Sequence, residues 1–177
     1  GMSVMEMSHR GSQFAEIYSE AKERFKRLLG VPDTHEVLFL QGGATAQFAA
    51  IPLNLMDGRG ADYAVTGNFS GIAAREAAKY GSVHIAYEGK GNGYTHIPTQ
   101  SELDVDGASA YFHYCANNTI FGTAWDYVPE TKGVPLVCDM SSEIMSHPVD
   151  VSRYALIYAG AQKNIAPAGL TVVVIDK

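Results

Sequence analysis

The chemistry in this sequence is concentrated in two side chains, Asp139 and Lys163, which lie 24 residues apart. Lys163 sits in the small-residue run 158–169 (YAGAQKNIAPAG), between the apolar runs Tyr154 to Tyr158 and Leu170 to Ile175. The pattern predicts a loop between two buried strands. A lysine held among small residues and buried strands is pushed by desolvation toward its neutral, nucleophilic form, the form that makes a Schiff base with a carbonyl. A lone loop lysine is otherwise a solvated charge, so Lys163 needs company to be read as chemistry.

Asp139 supplies some of that company. It closes the run 134–139 (VPLVCD) and is followed by Met140, Ser141 and Ser142. A carboxylate at the carboxyl end of a buried strand is costly unless paired. It can cap a helix, ligate a metal, or hold a pyridine nitrogen protonated so that the ring becomes an electron sink. A third feature precedes both: 41–45 (QGGAT) turns from an apolar run into a helical pattern. Small residues there let a backbone approach a phosphate at a helix N-terminus, and Thr45 adds a hydroxyl. Neither a P-loop spacing nor Gly-x-Gly-x-x-Gly is present, so the turn alone is weak. Phosphate cradle, strand-end Asp and loop Lys, in that order, suit pyridoxal phosphate.

The elements that must position these groups alternate. Helical spacing runs from Gln13 to Leu29 and ends at Gly30, with Pro32 beyond; a strand follows over His35 to Leu40, then a helix through Leu55. Further strands are predicted over Ala61 to Thr66, Ser82 to Tyr87, Ala110 to Cys115 and Leu136 to Cys138, with a helix over Gly71 to Tyr80 and a loop over Glu88 to Thr99. Strand, turn and helix in alternation imply an α/β fold, a mostly parallel sheet with helices on both faces, in which ligands bind at the carboxyl ends of strands. A final strand followed at once by the terminus predicts a domain cut from a longer chain.

Composition excludes several classes. With 46% hydrophobic and 18% charged residues over 177, the chain is globular. The net charge of −6 argues against a nucleic-acid surface, and the basic stretch Lys22 to Arg27 reads as a solvated helix face. Two cysteines, Cys115 and Cys138, and scattered histidines show no metal spacing and no disulfide framework, which points to a reducing cytoplasm. No signal peptide and no membrane-spanning run is predicted.

These residues sit within stretches that resemble the phosphoserine aminotransferases, a family of fold-type I pyridoxal phosphate enzymes. The stretches are 1–11 (GMSVMEMSHRG), 38–44 (LFLQGGA), Gln47-Phe48, 52–55 (PLNL), 61–63 (ADY), 113–120 (HYCANNTI), 139–142 (DMSS) and 158–164 (YAGAQKN). The resemblance implies a three-layer α/β/α domain with a mixed, mostly parallel sheet. It implies that Lys163 carries the cofactor and moves the proton between Cα and C4′, and that Asp139 pairs with the pyridinium nitrogen. It further implies that Ala44, Thr45 and Gln162 hold the phosphate, that Thr119 bonds the ring-hydroxyl region, and that Phe69 stacks on the ring. His9 and Arg10 match the substrate-binding pair, where arginine suits a phosphate or carboxylate. The implied reaction is amino transfer between O-phospho-L-serine and 2-oxoglutarate in serine biosynthesis, with 4-phosphohydroxy-L-threonine of pyridoxine biosynthesis as a further substrate. No metal is implied.

Two positions depart from the family's pattern. Phe69, in 66–70 (TGNFS), stands where tryptophan is usual, and Thr45 stands where some members carry arginine. The resemblance also implies a family chain about twice as long. Residues 1–177 then form most of the large cofactor-binding domain, without the N-terminal arm and the C-terminal small domain that supplies a carboxylate-binding arginine. The family works as a homodimer, so an isolated piece is expected to be inactive. Other fold-type I enzymes, such as alanine–glyoxylate aminotransferases and cysteine desulfurases, and a non-catalytic scaffold are the alternatives. The run Gln162-Lys163-Asn164 and the pairing of Asp139 with Lys163 speak against them.

Overall fold

A computed structural model of the chain describes residues 3–177; Gly1 and Met2, the start of the stretch 1–11, lie outside the described residues. In chain order the elements are α1 (Ser12–Leu29), β1 (His35–Leu40), α2 (Gly43–Leu55), β2 (Ala61–Val65), α3 (Asn68–Ala77), β3 (Val83–Glu88) and β4 (Phe112–Cys115). A two-stranded hairpin follows, β5 (Asn117–Asn118) and β6 (Thr123–Ala124), then β7 (Leu136–Asp139), β8 (Leu156–Gly160) and β9 (Thr171–Asp176). Seven strands form one sheet in the order β1-β9-β8-β7-β4-β2-β3. β9 runs antiparallel to both β1 and β8, and every other neighbouring pair is parallel. The sheet is therefore mixed and mostly parallel. β1, β2, β3, β4, β7 and β8 all point the same way and end on one rim.

Each face of the sheet buries a different kind of cover. On one face, Phe48 and Ile51 of α2 and the alanines 73, 74 and 77 of α3 pack on Tyr63, Val65, Tyr111, Val137, Tyr158 and Val173. The alanines let α3 lie close to β2, as their spacing predicts. On the other face, α1 contributes Phe25 and Leu29 over Val37, Val172 and Val174. The rest of that face is covered by irregular chain, through Leu103, Val105, Trp125, Ile144, Val151 and Tyr154. Helical spacing gave α1 a wider apolar stripe than the fold uses: Ile17 and Leu28 remain exposed. Gly30, at φ 66°, closes the helix in the left-handed conformation and donates to the Lys26 carbonyl.

Three local differences from the sequence reading bear on the rim. α3 begins at Asn68, three residues before the expected Gly71. The Ser70 hydroxyl accepts from the Thr66 and Gly67 N–H groups, at 3.1 and 3.0 Å, and so ties the turn into the helix. Phe69 thus lies in the first turn of α3 rather than in a loop. The segment after β3 is not plain loop but carries short 3₁₀ turns at Gly89–Asn92 and Gln100–Glu102. The β5–β6 hairpin, two residues a side, is too short to leave a periodic signal.

Candidate functional site

Five of the parallel strand ends converge on one pocket. It is lined by Ala44, Thr45 and Phe48 from α2, Phe69 from α3, Cys115, Asn117 and Thr119 after β4, Asp139, Ser141 and Ser142 after β7, and Gln162 and Lys163 after β8. Seven of the expected site residues are brought together here: Ala44, Thr45, Phe69, Thr119, Asp139, Gln162 and Lys163. His9 and Arg10 do not line the pocket; both are exposed, in the lead-in before α1.

Asp139 forms the floor. It is the last residue of β7, in register with Cys115 of β4 and Tyr158 of β8, and only 7% exposed. Burial raises its carboxyl above the ordinary value; hydrogen bonding from Ser141 and the charge of Lys163 work in the other direction. The Ser141 N–H donates to Oδ1 at 2.9 Å. Ser141 is itself held, because its hydroxyl accepts from the Gly160 N–H at 3.0 Å and so ties the end of β7 to β8. Cys115, buried beside the carboxylate, has its thiol pushed well up, first by burial and then by the charge of Asp139. It is an uncharged wall and not a nucleophile.

Lys163 forms the opposite side. The loop carrying it joins two antiparallel strands and is pinned at both ends. Ala161 N–H donates to the Leu170 carbonyl at 2.9 Å, and the Asn164 side chain donates to the Ile144 carbonyl at 3.0 Å. Lys163 Nζ donates to Thr119 Oγ1 at 2.7 Å and lies 5.3 Å from the centre of the Phe69 ring. Thr119 Oγ1 is in turn 2.9 Å from the Ser142 hydroxyl. The expectation that Lys163 is buried by its flanking strands is corrected: the strands are buried but the side chain is exposed. A ten-residue hairpin loop lifts it off the sheet (residues 161–170).

The third wall is the start of α2. Gly42 and Gly43 take φ of 93° and 67°, and a Cβ on Gly42 would stand 2.6 Å from the Ala46 Cβ. Only glycine turns the chain from β1 into the helix there. No side chain caps α2, so the first-turn N–H groups beside Ala44 and Thr45 are available to an anion. The pocket therefore offers an anion site, an aromatic face, an amine and a buried carboxylate. Those features fit pyridoxal phosphate, whose phosphate, ring, carbonyl and ring nitrogen call for one each.

The cavity measures about 90 Å³, with Lys163 reaching across to Thr119. A larger cavity of about 580 Å³ lies beside it and shares Asn117 and Ser142, but it is lined by Trp125, Tyr127, Glu143 and His147, without a lysine or the N-terminus of an α-helix. Chemistry, and not volume, identifies the smaller one. Sequence reasoning did not assign Phe48, Cys115, Asn117, Ser141 or Ser142 to the site. All five lay within family-like stretches, but which of them face the rim depends on strand register.

The profile of the aminotransferase class-V family matches residues 1–177. A phosphoserine aminotransferase of Laribacter hongkongensis is 53% identical over 176 residues, covering 99% of this chain and 49% of that protein. The solved phosphoserine aminotransferase of Bacillus circulans subsp. alkalophilus superimposes with a TM-score of 0.95 at 44% identity, over 99% of this chain and 49% of the other. The PLP-bound phosphoserine aminotransferase of Trichomonas vaginalis does so with a TM-score of 0.91 at 36% identity, over 100% and 50%. The chain spans about half the length of the curated relatives it matches.

Proposed function

This chain belongs to the aminotransferase class-V family, and from that membership we propose that its strand-end pocket holds pyridoxal phosphate for amino transfer between O-phospho-L-serine and 2-oxoglutarate. The observation that carries the reading is the convergence of Lys163, Asp139, Phe69 and the uncapped start of α2 in one pocket. When bound, the cofactor supplies a carbonyl for amines and a ring that accepts electrons from the bond at Cα. The chain's own residues do the rest. Asp139 holds the ring nitrogen protonated, and that cation offsets the cost of the buried carboxylate. The N–H groups at Ala44 and Thr45, with Gln162, hold the phosphate. Phe69 covers one ring face, and Thr119 orients the ring-hydroxyl side. Lys163 would hold the cofactor's carbonyl end through its amine and would move the proton at the substrate Cα.

His9 and Arg10 supply cationic contacts to the substrate's phosphate or carboxylate. In support, both are exposed, and neither makes an ion pair among the described residues. Residues 1–177 are then most of a large cofactor-binding domain, acting in a homodimer. The cytoplasm is the proposed compartment, consistent with two free, buried cysteines. The phosphorylated hydroxythreonine of pyridoxine biosynthesis is a second substrate under the same reading, since it presents the same amino-acid and phosphate groups.

The test is borohydride reduction after mixing with pyridoxal phosphate, then peptide mapping. A single pyridoxyl group on Lys163, absent from Lys163→Ala, is expected. Label spread over exposed lysines would sink the assignment. Glutamate formation from phosphoserine and 2-oxoglutarate, by the protein as its gene encodes it, checks the substrates.

A further inference from the structure

Behind the pocket floor stand buried polar groups that the proposed chemistry leaves unused. β4 and β8 flank β7, and they send His113 and Tyr158 to the face of the sheet that carries Asp139. His113 is 1% exposed and Tyr158 not at all. His113 Nε2 and the Tyr158 hydroxyl are 2.8 Å apart, and Tyr158 is the register partner of Asp139 on the neighbouring strand, where its hydroxyl favours the charged carboxylate. Tyr63 of β2 stacks on the imidazole, with ring centres 4.7 Å apart and planes at 27°. Phe48 of α2 meets the Tyr158 ring edge-on at 6.3 Å. Three polar residues on three adjacent strands are thus clamped from two sides.

Proton bookkeeping orders the row. Tyr158 has one O–H proton, and a carboxylate is a stronger acceptor than an imidazole nitrogen. His113 Nδ1 is buried and has no hydrogen-bond partner among the described residues. An orphaned N–H is rarer in buried sites than an under-used acceptor, so Nδ1 is the bare nitrogen and Nε2 carries the proton. Nε2–H then donates to the Tyr158 oxygen. The ring stays neutral because burial pushes its titration down to about 3. The other ionisable groups near Asp139 are Cys115 and Cys138, both pushed up by burial, and Lys163 across the pocket.

We propose that His113 and Tyr158 form a buried positioning relay, imidazole to phenol to carboxylate, that orients Asp139 toward the pocket. The relay rests on the cofactor reading only for its consequence: an oriented carboxylate sets the position and protonation of the ring nitrogen. Neither His113 nor Tyr158 lines the pocket, so both act through Asp139 and are positioning residues.

The experiment uses the cofactor-free protein as its gene encodes it, with nitrogen NMR on His113 and carboxyl-carbon NMR on Asp139. Expected are a protonated Nε2 and a bare Nδ1 at neutral pH. Tyr158→Phe should raise the Asp139 titration by about one pH unit and weaken uptake of pyridoxal phosphate about tenfold. His113→Leu should reproduce both effects, and His113→Gln, which keeps a donor near the Nε2 position, should restore most of them. A protonated Nδ1 overturns the relay. So does an Asp139 titration unmoved by Tyr158→Phe, even with a lower melting temperature, because that is the mark of packing alone. If the titration moves as expected while no variant, nor the parent, takes up pyridoxal phosphate, the relay stands and the cofactor reading fails.

Discussion

Two buried aspartates sit near opposite ends of the same sheet and are treated differently. Asp62, near the start of β2, is fully buried and satisfied by its neighbours. It accepts from the Asp106 N–H at 2.7 Å, the Ser109 hydroxyl at 2.7 Å and His84 Nδ1 at 3.1 Å. Asp139, at the end of β7, accepts one backbone N–H, from Ser141, with the Ser141 and Tyr158 hydroxyls favouring its charge from behind, while its carboxylate lines the pocket with no cationic partner bonded to it among the described residues. The amino-terminal carboxylate is finished by the fold. The carboxyl-terminal one is held in place and left short of partners, which is what a binding group requires. A buried charge that the protein does not neutralise is waiting for a counter-charge.

Removing both carboxylates breaks the comparison most severely. Asp62→Ala strands a backbone N–H, a hydroxyl and an imidazole, and should cost about 3–4 kcal/mol in chemical denaturation. Asp139→Ala removes a charge already disfavoured by burial, so stability should change by about 1 kcal/mol or less, while cofactor uptake falls on the order of 100-fold. Equal destabilisation by the two variants would erase the distinction.

Acid sharpens the picture of what lies behind Asp139. His113 titrates near 6.5 when unfolded and at about 3 when folded, so the unfolded chain takes the proton first. Stability contributed by the neutral ring is therefore present above 6.5, falls as pH drops below it, and is lost by about 3. The expected loss is about 1.4 kcal/mol per pH unit across that window, read from urea midpoints and flattened in His113→Gln. Asp139 has the opposite sign: its folded value is raised above 3.8, so its contribution falls as pH rises through that folded value. The smallest effect belongs to the rim. Phe69 is 40% exposed, so Phe69→Trp should leave the melting temperature nearly unchanged and tighten pyridoxal phosphate by about 0.5–1 kcal/mol, measured by equilibrium titration.

The residue pattern alone carried the alternation of strands and helices, the strand ends and the three stretches around Gly42, Asp139 and Lys163. It could do so because apolar periodicity and glycine turns are local signals. Membership of a family was equally legible, since stretches such as 113–120 and 158–164 are specific by themselves. Phe48, Asn117 and the two serines of the pocket were not assigned in advance. A strand's side chains alternate between faces, and one step of register decides which reach the rim. Lys163 shows the same limit. Its neighbours in sequence are buried, yet a hairpin loop between antiparallel strands holds it in the open.

Sequence therefore settled the main strands and helices and which residue types are available for chemistry, because both are set within a few residues of chain. The fold alone decided that Asp62 would be satisfied and Asp139 left open. It alone set His113 and Tyr158, 45 residues apart in the chain, within 2.8 Å of each other. Those outcomes depend on strands brought together by crossovers, and partners supplied across a sheet leave no trace in the local pattern.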